Sequence, residues 1–100
     1  MKTPKVKLEF WMGDRIGWNR PGPMIREENL EEGETLRSLL TRLAGEISQF
    51  AEAVFDPQAQ SLSSEVSILI NDRIPNLSQG LEVKLQAGDR ILFLPILAGG

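Results

Sequence analysis

Residues 90–100 have the sequence RILFLPILAGG, and this stretch decides how the rest of the chain folds. Its first half is an apolar run of the length and composition that predict a buried β-strand. Pro95 cannot donate a backbone hydrogen bond, so strand pairing should weaken or end there. Residues 98–100 are an alanine and two glycines, which predict a thin, flexible tail. We therefore expect one domain over residues 1–97 and a tail that ends in the carboxylate of Gly100.

The length and composition predict one globular domain. The chain has 100 residues, 41% of them hydrophobic and 25% charged, which is enough for a single core. Its net charge of -3 argues against nucleic acid or an anionic membrane as the main partner, because both attract basic surfaces. The sequence has neither a membrane-spanning run nor a signal-peptide core, so we expect a cytosolic protein.

Two residue types with frequent catalytic roles are missing. The sequence contains no cysteine, which excludes disulfides, thiolate nucleophiles and zinc–thiolate sites. It also contains no histidine, the commonest general base and metal ligand. Catalysis by carboxylates or lysine stays open, but the composition favours a binding or carrier domain over an enzyme. We expect no metal site and no bound cofactor.

The N-terminal third predicts two paired strands. Apolar and polar residues alternate from Val6 to Met12, as in a half-buried strand. Residues 13–23 are rich in glycine and proline and predict a long irregular loop, in which Trp18 either packs on the core or is an exposed contact. Residues 24–30 predict a weaker strand, antiparallel to the first.

A helix is predicted from Thr35, a good N-cap residue preceded by acidic residues that suit the helix dipole. Gly45 predicts a break followed by a short second segment, and Asp56-Pro57 ends helical structure. Residues 58–64 are predicted to be a polar linker. The apolar residues of the helix lie three or four positions apart and give it one buried face: Leu36, Leu39, Leu40, Leu43, Ile47, Phe50 and Val54.

Three strands are predicted after the helix, at residues 65–70, at residues 81–85 and in the apolar run from residue 90. The order β-β-α-β-β-β indicates an α+β fold with one main helix on one face of a mixed sheet. The last strand should be central, because it is the most continuously apolar. Since its two faces are apolar and one helix covers one face, the other face should expose a protein-binding surface unless a loop covers it.

Several of these features together resemble the ubiquitin-like β-grasp sulfur carriers. They are the order of elements, the segment Ile70-Asn71-Asp72-Arg73, the turn Ala87-Gly88-Asp89 before the last strand, and the ending FLPILAGG of residues 93–100. The chain is most similar to the small subunits of molybdopterin synthase (MoaD-like), which are related to the thiamin-pathway carriers (ThiS). The loop with Trp18 and the segment 58–64 look longer than a minimal carrier needs.

The resemblance implies a chemical role for the C-terminal carboxylate. An E1-like adenylyltransferase, similar to MoeB or ThiF, would use ATP to adenylate Gly100, and sulfur would then replace AMP to give a thiocarboxylate. The catalytic groups would belong to that partner. The carrier itself would not be an enzyme and would bind no cofactor.

The resemblance also implies a second partner, the large subunit of molybdopterin synthase or another sulfur acceptor. The thiocarboxylate tail would insert into this subunit and donate sulfur to a pterin precursor. Ala98 and Gly99 would be small to permit entry. Phe93, Leu94 and Pro95 would anchor the end of the strand at the interface.

Three alternatives stay open on the sequence. The chain could carry sulfur for another product, such as a thiolated tRNA base, thiamin, an amino acid or a secondary metabolite. It could be a protein modifier that becomes linked to lysine side chains through Gly100. A different class is an interaction module of ubiquitin-like fold that uses its apolar face without any chemistry at the terminus.

Overall fold

The computed structural model describes residues 4–17, 20–73 and 81–96, with the side chains of residues 13 and 14 excepted. In this part of the chain, no helix has the length and apolar character needed to cross a membrane. The elements in chain order are β1 (Lys5–Phe10), a 3₁₀ helix (Gly13–Ile16), β2 (Met24–Asn29), α1 (Leu36–Glu46), α2 (Ser48–Ala53), β3 (Phe55–Asp56), β4 (Ser61–Leu62), β5 (Val66–Ile70) and β6 (Arg90–Pro95).

The main sheet has four strands in the order β2-β1-β6-β5, so the last strand is central, as predicted. β1 is antiparallel to β2 and parallel to β6, and β6 is antiparallel to β5. The first and last strands are therefore direct neighbours, with Phe10 in register with Phe93. This mixed sheet with helices on one face confirms the predicted β-grasp fold of the α+β class.

The core lies between the sheet and α1. Val6, Leu8 and Phe10 point to this side of β1 and are at most 1% exposed. The α1 residues that face them are fully buried too: Leu36, Leu39, Leu40 and Leu43. The alternation of the strand and the spacing of the helix are thus two halves of one buried layer.

The start and the break of the helix follow the sequence. The Thr35 side chain caps α1 by accepting a hydrogen bond from the backbone N–H of Ser38 at 3.2 Å. α1 ends at Glu46, one residue after Gly45, and α2 resumes at Ser48. The predicted break and short second segment are confirmed.

The strand predicted at residues 81–85 is not part of the sheet. Its one bridge joins Lys84 to Thr35. Its backbone also forms hydrogen bonds with the first turn of α1. The carbonyl oxygens of Val83 and Leu81 accept hydrogen bonds from the first two backbone N–H groups of the helix, each at 2.9 Å. These N–H groups have no partner within the helix, so the segment satisfies them in place of a neighbouring strand. The prediction of a sheet strand here is wrong.

Two predicted irregular segments contain regular structure. In the predicted linker 58–64, β4 pairs with β3 because the Asp56 carboxylate accepts hydrogen bonds from the backbone of residues 58 and 59 and turns the chain back. The loop 13–23 begins with the 3₁₀ helix, whose Ile16 is buried in the core. Trp18 lies outside the described residues, so its role stays open.

Candidate functional site: the open face of the sheet

The sheet has one face against the helices and a second face, here termed the open face, that points away from them. Because side chains alternate along a strand, Lys5, Lys7 and Glu9 of β1 lie on the open face. Trp11 continues this row directly after the strand. The described part of the chain carries its most exposed large apolar side chains here or at the strand ends: Trp11 at 50%, Ile25 at 54% and Ile96 at 46%.

An apolar strip follows β6 along the open face towards the C-terminus. Leu92 and Leu94 have the same parity on β6, opposite to the core residues Ile91 and Phe93. Ile96 has the same parity one position beyond the strand, and its backbone N–H donates to Glu65 at 2.8 Å. The strip therefore extends past Pro95, where β6 ends, up to the last described residue.

The structure corrects one of the predicted interface residues. Phe93 is 0% exposed and packs between the sheet and the helices, so it is not a surface contact. Its parity on β6 points it into the core, whereas Leu94 and Pro95 are half-buried and remain available to a partner. The functional tail predicted at residues 98–100 (Ala98, Gly99 and Gly100) lies outside the described residues and stays a prediction.

An ion pair on the open face joins a buried carboxylate to an arginine whose side chain is 43% exposed. Arg90 donates to both carboxylate oxygens of Glu9, from Nε and from Nη2, each at 3.2 Å. Glu9 is only 6% exposed. These hydrogen bonds hold the pKa of Glu9 below its ordinary value of 4.5, against the opposing effect of burial.

The start of β6 is fixed by contacts between two sequence motifs. The Asn71 side chain accepts a hydrogen bond from the backbone N–H of Arg90 at 3.0 Å and donates to the Asp89 carboxylate at 2.9 Å. Asp89 follows Gly88, whose φ of +86° suits glycine in the turn. The turn with Asn71 and the turn with Gly88 and Asp89 are thus hydrogen-bonded to each other, and this contact sets the register of β6.

Sequence analysis missed Trp11 and Ile25 as surface candidates. The alternation of β1 already places Trp11 with Lys5, Lys7 and Glu9 on the polar side, but it does not show that Trp11 is a contact residue. Among the described residues, no group of three or more acidic side chains is arranged to hold a metal ion. The described site is thus an apolar surface along β6 that leads towards the C-terminus.

Comparison with known proteins adds a family match. The model of the ThiS family matches residues 17–100. Sulfur carrier protein CysO from Mycobacterium tuberculosis is 33% identical over 69 residues, which cover 68% of this chain and 74% of that protein.

Solved structures share the fold. The small archaeal modifier protein 1 from Haloferax volcanii superposes with a TM-score of 0.72 at 17% identity, covering 96% of this chain and 99% of that chain. A putative molybdopterin converting factor subunit 1 from Pyrococcus furiosus gives a TM-score of 0.68 at 23% identity, covering 95% and 100%.

Proposed function

Because the chain belongs to the ThiS family of ubiquitin-like sulfur carriers, we propose that it carries sulfur as a thiocarboxylate on Gly100 and donates it in molybdopterin biosynthesis. The observation that carries the proposal is the family match, which extends to Gly100 itself. The residue types agree with it, since a carrier whose partners supply the catalytic groups needs neither cysteine nor histidine. The compartment we propose is the cytosol.

The chemistry places simple demands on this chain. The Gly100 carboxylate attacks the α-phosphorus of ATP on an E1-like adenylyltransferase, and pyrophosphate leaves. A sulfur nucleophile supplied by the partner system then attacks the acyl carbon, and AMP leaves with the electrons of the broken acyl–oxygen bond. The carrier has to present an unhindered acyl group, and Ala98 and Gly99 have the smallest side chains available for entry into a narrow site.

The open face supplies the docking surface in this proposal. Leu94 and Pro95 keep their proposed role as partner contacts, and Ile96 and Trp11 join them in place of Phe93. The apolar strip reaches Ile96, the last described residue before the tail, so a partner that holds Gly100 would meet this part of the face first. The activating enzyme and the sulfur acceptor, such as a molybdopterin synthase large subunit, both need the tail and would compete for the same face.

A second candidate is sulfur transfer to a different acceptor. The 33% identity to CysO over 69 residues supports a sulfur carrier without naming its product. The acceptors to compare are those for a tRNA base, thiamin, an amino acid and a secondary metabolite, together with lysine side chains for a modifier. Purified thiocarboxylate carrier offered to each acceptor enzyme in parallel separates them, because the true acceptor alone consumes the thiocarboxylate with product formation.

The terminal chemistry is tested by intact mass after incubation with ATP, the cognate E1-like enzyme and a sulfur source. Replacement of one oxygen by sulfur adds about 16 Da, the same as methionine oxidation, so the shift must be localised to the C-terminal peptide, which contains no methionine. A terminus that stays an ordinary carboxylate with every cognate activating enzyme refutes the carrier proposal and leaves the interaction module.

A further inference from the structure

A small pocket, here termed the hairpin pocket, lies between α2 and the β3–β4 hairpin on the helix side of the sheet, and its volume is about 100 Å³. Its floor is apolar, because Val54 and Phe55 are at most 1% exposed and belong to the core. Among the described residues, no basic side chain lines the pocket. The rim carries two carboxylates and two hydroxyl groups, which belong to Glu52, Asp56, Ser61 and Ser63.

The hairpin that forms one wall of the pocket is held by side-chain hydrogen bonds. Oδ1 of Asp56 accepts from the backbone N–H groups of residues 58 and 59. The Gln60 side chain donates to the carbonyl oxygen of Pro57 at 2.7 Å and accepts from Arg37 of α1 at 3.1 Å. Gln60 has a φ of +54°, which residues other than glycine rarely adopt, so these contacts stabilise a strained turn. The wall is therefore ordered before any ligand binds.

The charge of the pocket favours a cation. The Glu52 side chain is exposed, and it makes neither a hydrogen bond nor an ion pair with any described residue. Asp56 adds a second carboxylate to the same rim. A concave site with charges of one sign concentrates ions of the opposite sign. A cation that also covers the apolar floor would satisfy both parts of the pocket.

An arginine side chain suits this floor and rim better than a lysine side chain does. A guanidinium is flat and weakly hydrated, so its face can lie on an apolar floor while its N–H groups donate sideways to carboxylates and hydroxyl oxygens. A lysine ammonium is a compact, strongly hydrated charge and loses more hydration in such a place. Arginine is also enriched at protein interfaces, where lysine is depleted. An apolar cavity of about 150 Å³ accommodates benzene, so the smaller hairpin pocket has room for one guanidinium.

The hairpin pocket lies close to the start of the tail. Ser63 on its rim accepts a hydrogen bond from the backbone N–H of Glu65 at 3.1 Å, and the carbonyl oxygen of Glu65 accepts from Ile96 at 2.8 Å. Four residues lead from Ile96 to Gly100, and they span at most about 14 Å. An interface of ordinary size covers about 800 Å² on each protein, a patch roughly 30 Å across, so a protein that holds the tail can also reach the pocket.

We propose that the hairpin pocket receives an arginine side chain of the sulfur acceptor and that this contact helps the carrier to select its acceptor. The sulfur-transfer pathways considered for this chain share activation of Gly100 and differ in the acceptor. The pocket is built in part from the segment 58–64, which is longer than a minimal carrier needs, so a contact there suits the partner that differs between pathways. The inference rests on the proposed sulfur transfer from Gly100, and it places a contact on the helix side of the sheet, away from the open face.

The first test needs no partner protein. N-acetyl-L-arginine amide is titrated at low salt into the full ¹⁵N-labelled chain, and the backbone NMR signals of residues 51–63 are followed. We expect saturable shifts with a Kd of about 5 mM, since the probe supplies the contacts of one side chain only. The corresponding citrulline amide has nearly the same shape without the charge and should not bind, and the lysine amide should bind about threefold more weakly. Tighter binding of spermidine, a free polyamine, would overturn a protein as the occupant.

Variants of the carrier separate the pocket from the general acidity of the protein. Glu52→Gln should weaken binding of the arginine probe about fivefold, because it removes a carboxylate from the rim. Glu46→Gln is the matched control, since it removes the same charge from a residue that pairs with Arg26 outside the pocket, and Kd should change less than about 1.5-fold. Equal weakening in both variants, or shifts that do not saturate, would overturn the pocket as a binding site.

The second test uses the thiocarboxylated carrier and the acceptor enzyme that consumes it. Glu52→Arg reverses the charge at the rim and should raise the KM of the carrier in sulfur transfer about tenfold, with kcat within about twofold, because docking is weakened and the chemistry at Gly100 is not. The KM for adenylation should stay within about twofold, since the contact belongs to the acceptor. Glu46→Arg is the charge control and should change neither KM by more than about twofold. Thermal unfolding checks that both variants are folded.

The outcomes separate the two proposals. If the cognate enzyme and a sulfur source do not convert the wild-type carrier to a thiocarboxylate, the proposed function fails and the acceptor contact fails with it. If wild type transfers sulfur and Glu52→Arg keeps the wild-type KM for transfer, or raises both KM values equally, the proposed function stands and this inference is overturned.

Discussion

The aromatic rings of Phe10 and Phe93 are stacked with their centroids 4.6 Å apart and their planes within 12° of parallel. The two residues belong to the first and last strands, which run parallel and in register. Phe50 of α2 meets both rings edge-on, at 6.0 and 5.8 Å. This three-ring cluster packs β1 and β6 against α2. It explains why the apolar Phe93 is a core residue and not a contact for partners.

Replacing Phe93 should therefore destabilise the fold. We expect Phe93→Ala to lower the free energy of unfolding by about 3–5 kcal/mol, because it removes a fully buried ring and leaves a cavity. Leu94→Ala, on the next position but half-buried on the open face, should cost about 1 kcal/mol. Urea unfolding of both variants measures the difference, and equal costs would contradict the core assignment.

The helix assignment is tested at Leu40, which is fully buried on α1. Leu40→Asp would place a charge in the apolar core and should unfold the domain, at a cost of about 4 kcal/mol. The neighbouring Thr41 is exposed, so Thr41→Asp should change stability by only about 0.5 kcal/mol. A cooperatively folded Leu40→Asp variant, observed by circular dichroism on heating, would count against this packing.

A buried carboxylate depends on Arg42. The Glu34 side chain is 2% exposed and accepts from Arg42 at 3.0 Å, and the same guanidinium donates to Glu28 at 3.2 Å. Arg42→Met should cost about 3 kcal/mol of unfolding free energy, because it leaves the buried Glu34 carboxylate without its cation, whereas Glu28 keeps its ion pair with Arg26. Arg15→Met breaks the more exposed pair with Glu65 and should cost at most about 1 kcal/mol. Chemical denaturation measures the unfolding free energies of the two variants. Similar losses of stability would show that burial of the carboxylate does not determine the cost.

The Glu9–Arg90 pair should make stability depend on pH. Arg90 lowers the pKa of Glu9 in the folded state, so the pair stabilises the fold above pH 4.5, and this contribution is lost as the pH falls through the lowered pKa. Lys7 on the same strand acts in the same direction, while Asp72 acts on the Arg90 side.

The expected signature is a stability difference between wild type and Glu9→Gln that is constant near neutral pH and disappears in acid. Unfolding free energies from pH 7 down to about pH 3 measure it. In an Arg90→Gln background the pH-dependent part should be much smaller, because the main cause of the lowered pKa is gone. A difference that grows in acid would have the wrong sign and would contradict the ion pair.

Local patterns were sufficient for most of the framework. The alternation of β1, the spacing of α1 and the Thr35 cap each depend on residues a few positions apart, and the apolar run of β6 required a central place in the sheet. These signals predicted the four strands of the main sheet, the fold class and the buried side of the helix. The terminal motif added the family, which the comparisons confirm.

The misses depend on partners distant in sequence. Residues 81–85 alternate like a strand, but the unpaired N–H groups of α1 take up their carbonyl oxygens. Phe93 and Leu94 are both apolar, so composition cannot tell which one faces the core, and the register with Phe10 decides it. Glu9 has the pattern of an exposed residue and is buried by an arginine that follows 81 positions later.

The parallel pairing of β1 with β6 makes the order of synthesis part of folding. β1 is synthesised first, and one of its edges and the Phe10 ring stay unpaired until β6 has left the ribosome. We expect chains cut before residue 90 to be digested rapidly by a protease and chains cut after Ile96 to resist it. Interrupted translation therefore leaves unfolded fragments for degradation, and any molecule that has folded already has its last strand in place.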